Sequence, residues 1–293
     1  MAEPARWPKI TLVTPVFNSA PYLEATIRSV LSQDYPNLEY IIVDGGSTDG
    51  TVEIIRKYET QLSAWVSEPD RGMYDALNKG FARSTGEIMG WLNASDALHV
   101  GALRVAGSVF TTFPAVEWIT GRPTILNAEG MAVGLLSLKR WSRLRFLAGA
   151  NRYIQQESTM WRRSLWERSG NRLDDSWGIP SDFGLWVQFF RHAKLYPVDA
   201  LIGGYRLHPD AQGWRDLEAS HRTHDQIIEK ELDSMQGHPF LRWFRLVSGK
   251  MQSVPALAKP WRKAVLGMLM KWPGKDLPPV ICNRDNHWVI RGK

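Results

Sequence analysis

The sequence predicts an α/β fold in which helices flank a mostly parallel central sheet. Four short apolar runs in the first hundred residues alternate with segments of helical periodicity, and these runs cover residues 10–16, 40–43, 65–67 and 87–92. This alternation produces parallel strands joined by right-handed crossovers. The chain has 293 residues, 44% hydrophobic and 23% charged, which is the balance of a globular protein with a sizeable core.

The helices between these strands are placed by periodicity and by start signals. Leu23, Ile27 and Val30 recur at helical spacing after Pro21, a residue that the first turn of a helix tolerates. Asp49 is expected to cap the next helix, over residues 51–58. Further helices are predicted over residues 74–83, 102–110, 163–169 and 182–192, a strand over 118–124, and a strand-like run over 200–205.

The C-terminal part of the chain has a different composition. A polar helix over residues 210–237 leads out of a first domain, residues 1–235, into a basic, aromatic extension, residues 236–293, that we predict to be helical. Between residues 240 and 275 there are eight basic residues and no acidic one, interleaved with Trp, Phe, Leu and Met. This mixture suits helices that lie on an anionic membrane. The alternative is packing on the first domain or on a second copy of the chain.

Several classes of protein are disfavoured. Cys282 is the single cysteine, so no intrachain disulfide forms, which fits a reducing compartment. Residues 1–9 lack the apolar core of a secretory signal, and no run approaches the roughly 20 apolar residues of a spanning helix. No nucleic-acid recognition motif accompanies the basic charge. We therefore expect a cytoplasmic protein, peripheral on the inner face of the cytoplasmic membrane, with no nucleic-acid partner.

Acidic turns follow three neighbouring predicted strands. Asp44 precedes two glycines, Asp70 lies in the turn after residues 65–67, and Asp96 follows the strand at 87–92. The carboxyl ends of parallel strands share one edge of the sheet, where ligands bind in open α/β sheets. Each aspartate alone is as well explained as a turn or helix cap. Three on one edge favour a site for a cation and a phosphate, although neither a Walker loop nor a G-x-G-x-x-G fingerprint is present.

These segments resemble the family-two glycosyltransferases of the GT-A nucleotide-diphospho-sugar transferase fold. The resemblance is carried by residues 14–18, 43–51, 68–80 and 90–96, and more weakly by residues 155–163 and 181–186. It implies an inverting transfer from a nucleoside-diphosphate sugar to a glycan or lipid-linked acceptor in cell-surface polysaccharide synthesis. A UDP-sugar is the favoured donor, with dTDP- and GDP-sugars as alternatives.

The resemblance also implies a role for individual residues. Asp182 would be the general base, and Asp96 would bind Mg²⁺ or Mn²⁺, with His208 beside the metal and the diphosphate. A structural histidine is the alternative role for His208. The residues expected to contact the nucleotide or donor are Thr14, Pro15, Val16, Phe17, Asp44, Asp70, Gly72, Asn78, Lys79 and Asn93. The residues expected to contact the donor sugar or the acceptor are Gln156, Glu157 and Trp186.

Some alternatives stay open. Ser95 and Asn93 stand where many relatives carry acids, so we expect a modest affinity for metal. Asp174 and Asp175 are alternative bases, and a helix cap is the alternative role for Asp182. The fourteen tryptophans fit either packing or contact with sugar or membrane. The rival functions are a sugar-phosphate nucleotidyltransferase and a catalytically weak partner that binds nucleotide sugars; a homo-oligomer is possible.

Overall fold

The structure, a computed structural model, describes residues 6–148, 153–177, 181–209, 217–234 and 277–291. Its helices are α1 Ala20–Leu31, α2 Thr51–Lys57, α3 Met73–Ala82, α4 Ala102–Thr112, α5 Arg143–Leu147, α6 Arg163–Arg168, α7 Ser181–His192 and α8 Leu217–Ser234. Its strands are β1 Ile10–Val16, β2 Leu38–Asp44, β3 Ala64–Ser67, β4 Ile88–Trp91, β5 Ala97–Leu98, β6 Trp118–Leu126, β7 Ala132–Leu135, β8 Thr159–Arg162, β9 Leu195–Arg206, β10 Val280–Arg284 and β11 His287–Arg291.

These strands form one mixed sheet in the order β11-β10-β9-β6-β8-β4-β1-β2-β3, with β5 paired to β9 and β7 paired to β6. The predicted parallel arrangement of the first four strands is confirmed, because β1 runs parallel to β2 and β4, and β2 to β3. Val16, Asp44 and Ser67 form one row across β1, β2 and β3. The carboxyl ends of these strands therefore meet at one edge of the sheet.

The first two helices are joined by Asp49, although not as predicted. Gly50, with a positive φ of 95°, occupies the N-cap position of α2. Asp49 lies one residue earlier and accepts hydrogen bonds from the amide and hydroxyl of Thr51 and from the amide of Ala20. The prediction of Asp49 as N-cap is corrected, because its carboxylate holds the starts of α1 and α2 together from outside the helix.

A stack of tryptophans occupies the core on one face of the sheet. Trp186 of α7 stacks on Trp91 of β4 and on Trp118 of β6, with ring centroids 5.7 Å apart in both pairs. Trp161 of β8 meets Trp91 and Trp186 edge-on. Trp186 is only 1% exposed, so its ring packs against the sheet, and its predicted contact with a sugar stays a prediction.

The chain ends in a hairpin that extends the sheet. β10 pairs with β11, and Ile281 of β10 pairs in parallel with Val198 of β9. The prediction that residues 236–293 are helical is therefore corrected for this hairpin, whose backbone groups are satisfied by neighbouring strands. The basic stretch at residues 240–275 lies outside the described residues. No helix among those described has the length and apolar character needed to cross a bilayer.

We predict that Gly203→Ala destabilises the fold by about 3 kcal/mol. A Cβ at Gly203 of β9 would lie 2.1 Å from the carbonyl oxygen of Glu157, and backbone atoms cannot turn aside as a side chain can. The matched control is Gly90→Ala in β4, where the nearest atom is the flexible Met160 side chain at 3.3 Å. Urea unfolding of both variants measures the effect, and equal losses would contradict this account.

Candidate functional site

Asp44 organises the loop that follows β2. Its buried carboxylate accepts hydrogen bonds from the amides of Gly46 and Ser47 and from the hydroxyls of Ser47 and Ser67. Three of these donors share Oδ2 and only the Ser47 hydroxyl donates to Oδ1, so Oδ1 keeps acceptor capacity. Asp44 therefore caps its turn, and its contact with a nucleotide base stays a prediction.

The loops that follow β1, β2 and β3 are tied together beside Asp44. The backbone amide of Asn18 donates a hydrogen bond to the hydroxyl of Ser47, and the side-chain oxygen of Asn18 accepts one from the backbone amide of Thr48. A Cβ at Gly45 would lie 2.6 Å from the carboxylate of Asp70, so glycine is required for this close approach. The acidic turns after β2 and β3 therefore meet at this edge, as predicted from the sequence.

Among the four residues at the end of β1, Phe17 is the one that reaches solvent. Thr14, Pro15 and Val16 are buried in the sheet, and the Thr14 hydroxyl lies 3.1 Å from that of Tyr40. Phe17 is 62% exposed directly after them. An exposed ring on a rigid strand end can stack on a base, whereas the three buried residues support it from within the fold.

Asp96 is buried at the neighbouring strand end and is held from three sides. Its carboxylate accepts hydrogen bonds from the backbone amide of Arg206 at 3.0 Å and from the side-chain amide of Gln156 at 3.3 Å. Thr26 of α1 donates its hydroxyl to the Asp96 carbonyl. Burial raises the pKa of Asp96 to about 7, and bonds from Arg206 and Asn93 oppose that rise.

Glu157 lies within electrostatic reach of two further carboxyl groups, those of Asp96 and Asp182. Burial raises the pKa of Glu157 well above its usual range, and the charges of Asp96 and Asp182 add to the rise. Asp182, at the start of α7, is only partly exposed, and desolvation raises its pKa to about 6. Glu157 thus connects Asp96 and Asp182, and these three acids span more than eighty residues of the sequence.

The residues around Asp96 fit a hard divalent cation. The side-chain oxygens Asn93 Oδ1, Gln156 Oε1 and Glu157 Oε1 are buried and lack a hydrogen-bond partner in the described part of the chain. Carboxylate and amide oxygens are ligands of Mg²⁺ and Mn²⁺. No group of three or more His, Cys, Asp or Glu side chains that could hold an ion occurs among the described residues. A cation here would therefore depend on substrate oxygens for much of its coordination.

Asn78 and Lys79 of α3 make contacts within the protein. The Asn78 side chain donates to the carbonyl of Leu173 and accepts from its amide, both at 2.9 Å. Lys79 forms ion pairs with Glu68 and Asp75. Asn78 thus binds the segment that leads towards Asp182, and the predicted donor contacts of both residues remain predictions.

The other predicted site residues have these positions. His208 follows β9 and packs against Tyr22 of α1, with ring centroids 4.4 Å apart, so its metal contact stays a prediction. Gly72, with a φ of 116°, precedes α3, and its amide donates to Asp70. Of the two alternative bases, Asp174 accepts from the amide and hydroxyl of Ser176, and Asp175 pairs with Arg71 and Arg172.

Sequence reasoning missed Arg206, which fixes the loop around Asp96. Its guanidinium donates to the carbonyl of Ser95 and to the carbonyl of Ala128, and the side chain is buried. The available signal was an arginine at the end of an apolar strand, because a buried guanidinium needs several acceptors. Tyr74 was also missed; it is buried in α3 and its pKa is raised by desolvation and by the charge of Asp182.

Comparison with known proteins adds three findings on sequence. Residues 11–110 match the pattern that defines glycosyl transferase family 2. An uncharacterized glycosyltransferase of Mycobacterium tuberculosis is 31% identical over 183 residues, which are 60% of this chain and 66% of that protein. The putative teichuronic acid biosynthesis glycosyltransferase TuaG of Bacillus subtilis is 37% identical over 92 residues, 30% of this chain and 36% of TuaG. The chain thus spans about two thirds or less of the curated relatives it matches first.

Two solved structures share the fold. Residues 1–349 of Staphylococcus aureus TarS, in complex with UDP-GlcNAc, superpose with a TM-score of 0.62 at 16% identity and cover 76% of this chain and 66% of that one. The mannosyltransferase PcManGT of Pyrobaculum calidifontis, in complex with GDP-Man and Mn²⁺, superposes with a TM-score of 0.56 at 20% identity and covers 93% and 83%. The predicted GT-A fold is confirmed by this likeness to TarS.

We predict that Asp182→Asn stabilises the fold at alkaline pH. The folded-state pKa of Asp182, about 6, lies above its usual 3.8, so the folded protein loses stability as pH rises through this interval. Removing the charge should raise the free energy of unfolding at pH 8 by about 1–2 kcal/mol, with a smaller gain at pH 4.5. Urea unfolding at both pH values, with Glu53→Gln on the exposed face of α2 as the control, measures this. A gain independent of pH would contradict it.

Proposed function

We propose that this chain, which belongs to glycosyl transferase family 2, moves a sugar from a nucleoside-diphosphate sugar to a hydroxyl group of a glycan or lipid-linked acceptor in cell-surface polysaccharide synthesis. The observation that carries the proposal is the convergence of Asp96, Glu157 and Asp182 beside the carboxyl ends of β1, β2 and β4. Several carboxyl groups kept together out of water are typical of a site that handles charge and protons.

A UDP-sugar is the donor that the proposal favours. The exposed ring of Phe17 can stack on the base, and the Asp44 loop presents hydroxyl and amide groups beside it. In support, TarS binds UDP-GlcNAc in a fold of the same kind, and PcManGT binds GDP-Man. TuaG, named for teichuronic acid biosynthesis, supports a polysaccharide as the product.

Asp96, with Asn93 and Gln156 beside it, would hold Mg²⁺ or Mn²⁺ against the donor diphosphate. Such a cation, when bound, supplies positive charge that stabilises the nucleoside diphosphate as a leaving group. PcManGT in complex with Mn²⁺ supports a metal in this fold. Arg206 contributes by fixing the Asp96 carboxylate and the Ser95 carbonyl in one orientation.

Asp182 would act as the general base. Its partly exposed carboxylate has a pKa of about 6, so it is ionised at neutral pH and still basic enough to take a proton from an acceptor hydroxyl. The hydroxyl oxygen then attacks the anomeric carbon as the bond to the diphosphate oxygen breaks, and this single displacement inverts the anomeric centre. We expect the rate to fall below about pH 6, where Asp182 becomes protonated.

We also propose where the protein works. The basic residues at 240–275, with aromatic and aliphatic neighbours, would hold the extension of residues 236–293 on the anionic inner face of the cytoplasmic membrane. A cytoplasmic, peripheral enzyme is then placed beside its lipid-linked acceptor, with nucleic acid not among its partners. Self-association through the extension is the alternative use of these residues.

The base assignment predicts that Asp182→Asn lowers the rate of sugar transfer by about 10²–10⁴-fold, because the acceptor hydroxyl loses its proton acceptor. Donor binding should persist within a few fold, since Asp182 belongs to the acceptor side. Transfer is measured with a labelled UDP-sugar and donor binding by calorimetry. The matched control is Asp174→Asn, which should keep most of the activity. Full activity in Asp182→Asn would rule out this role.

The metal assignment predicts that Asp96→Asn weakens the stabilisation of the protein by UDP and Mn²⁺ together. In the wild type, UDP with Mn²⁺ should raise the melting temperature more than UDP with EDTA does, and this difference should largely vanish in the variant. Because a neutral amide at position 96 no longer needs desolvation of a charge, the variant should fold. An unchanged Mn²⁺ effect in Asp96→Asn would contradict the assignment.

A further inference from the structure

The hairpin formed by β6 and β7 carries an exposed apolar surface. Met131, just before β7, and Val133 and Leu135 within it are 61%, 61% and 62% exposed, and Leu136 follows at 46%. Side chains two residues apart along a strand share one face, so Met131, Val133 and Leu135 share one. β7 pairs with β6, with Leu135 opposite Thr124, and lies outside the main row of strands. Three large apolar side chains thus stand together in solvent, with Leu136 next to them in the chain, which single scattered residues would not explain.

Cationic side chains follow directly after this apolar surface. Lys139 is exposed, and the guanidinium of Arg140 donates to the carbonyls of Leu277 and Pro278 rather than to any acid. Arg145 lies close enough to Arg140 for that charge, after burial, to lower its pKa. No carboxylate pairs with Lys139 or Arg140 among the described residues. Lys139, exposed three residues after Leu136, thus puts unpaired positive charge next to the apolar side chains in the chain.

Hydrogen bonds of Arg206 connect the β6–β7 turn to the candidate active site. Arg206, whose amide bonds to Asp96, also donates its guanidinium to the carbonyl of Ala128 in the turn between β6 and β7. A Cβ at Gly130 of the same turn would lie 2.9 Å from that guanidinium. Arg206 therefore fixes the position of the β6–β7 turn relative to Asp96.

We propose that this hairpin face, Met131, Val133 and Leu135, together with Leu136, Lys139 and Arg140 that follow it, contacts an anionic phospholipid bilayer. Apolar side chains beside cations match the acyl and phosphate layers of such a bilayer. A second copy of the chain fits less well, because a symmetric contact would bring the same cations together. This inference rests on the proposed function, because the contact would bring the active site to an acceptor in the membrane. The hairpin face would then be a second membrane contact, in addition to the extension of residues 236–293.

The test compares one double and two single substitutions in the 293-residue chain. In V133D/L135D, two acidic groups replace apolar ones on the proposed contact face. The control is Val100→Asp, which makes the same kind of change at a fully exposed valine before α4. Flotation with phosphatidylglycerol vesicles should show binding of V133D/L135D reduced about 10–30-fold and that of Val100→Asp unchanged within twofold. Lys139→Glu should weaken binding about fivefold or more.

Each outcome bears on the proposal. Loss in V133D/L135D with retention in Val100→Asp supports it, provided that UDP with Mn²⁺ still stabilises both variants equally, which shows that they are folded. Wild-type-like binding of V133D/L135D overturns it and leaves the extension as the contact. Equal wild-type binding to phosphatidylcholine vesicles, or no binding to either, also overturns it. Sugar transfer to a soluble acceptor in V133D/L135D is measured separately, so failure of the membrane contact is distinguished from failure of the proposed activity.

Discussion

The structure depends on keeping three carboxyl groups together, largely out of water, at one edge of a sheet. Burial raises the pKa of Asp96, Glu157 and Asp182, and the charges of Asp96 and Asp182 raise that of Glu157 further. Such an arrangement opposes folding and persists only where the surrounding packing outweighs it. The hydrogen bonds to Asp96 from Arg206 and Gln156 offset part of that cost. A bound cation and the proton of an acceptor hydroxyl are the partners that would relieve the rest.

The tryptophan stack supplies the packing that places these acids. Trp91 ends the strand that leads to Asp96, and Trp186 lies one turn into the helix that begins beside Asp182. Their rings are stacked, so the end of β4 and the start of α7 cannot move apart without opening the core. Asn78 adds a second connection through Leu173, between the donor-side helix α3 and the segment before α7. The aromatic core thus fixes the distance between the proposed metal site and the proposed base.

Sequence periodicity was sufficient for the first half of the fold, because each strand and helix there is specified by local signals. It predicted β1 with its bounds and the shared edge that carries Asp44, Asp70 and Asp96. It failed where burial depends on distant partners. The packing of Trp186 depends on β4 and β6, and Arg206 gains its role from loops far away in the chain. The β10–β11 hairpin also escaped prediction, since its short strands form only by pairing with β9.

The most direct test is a crystal structure with UDP and Mg²⁺ bound. The account predicts the cation about 2.1 Å from an Asp96 carboxylate oxygen, the diphosphate between Asp96 and the Asp44 loop, and Asp182 facing the side of the sugar site opposite the diphosphate. It is contradicted if the nucleotide lies away from the Asp44 loop, with Asp96 still bonded only to protein groups.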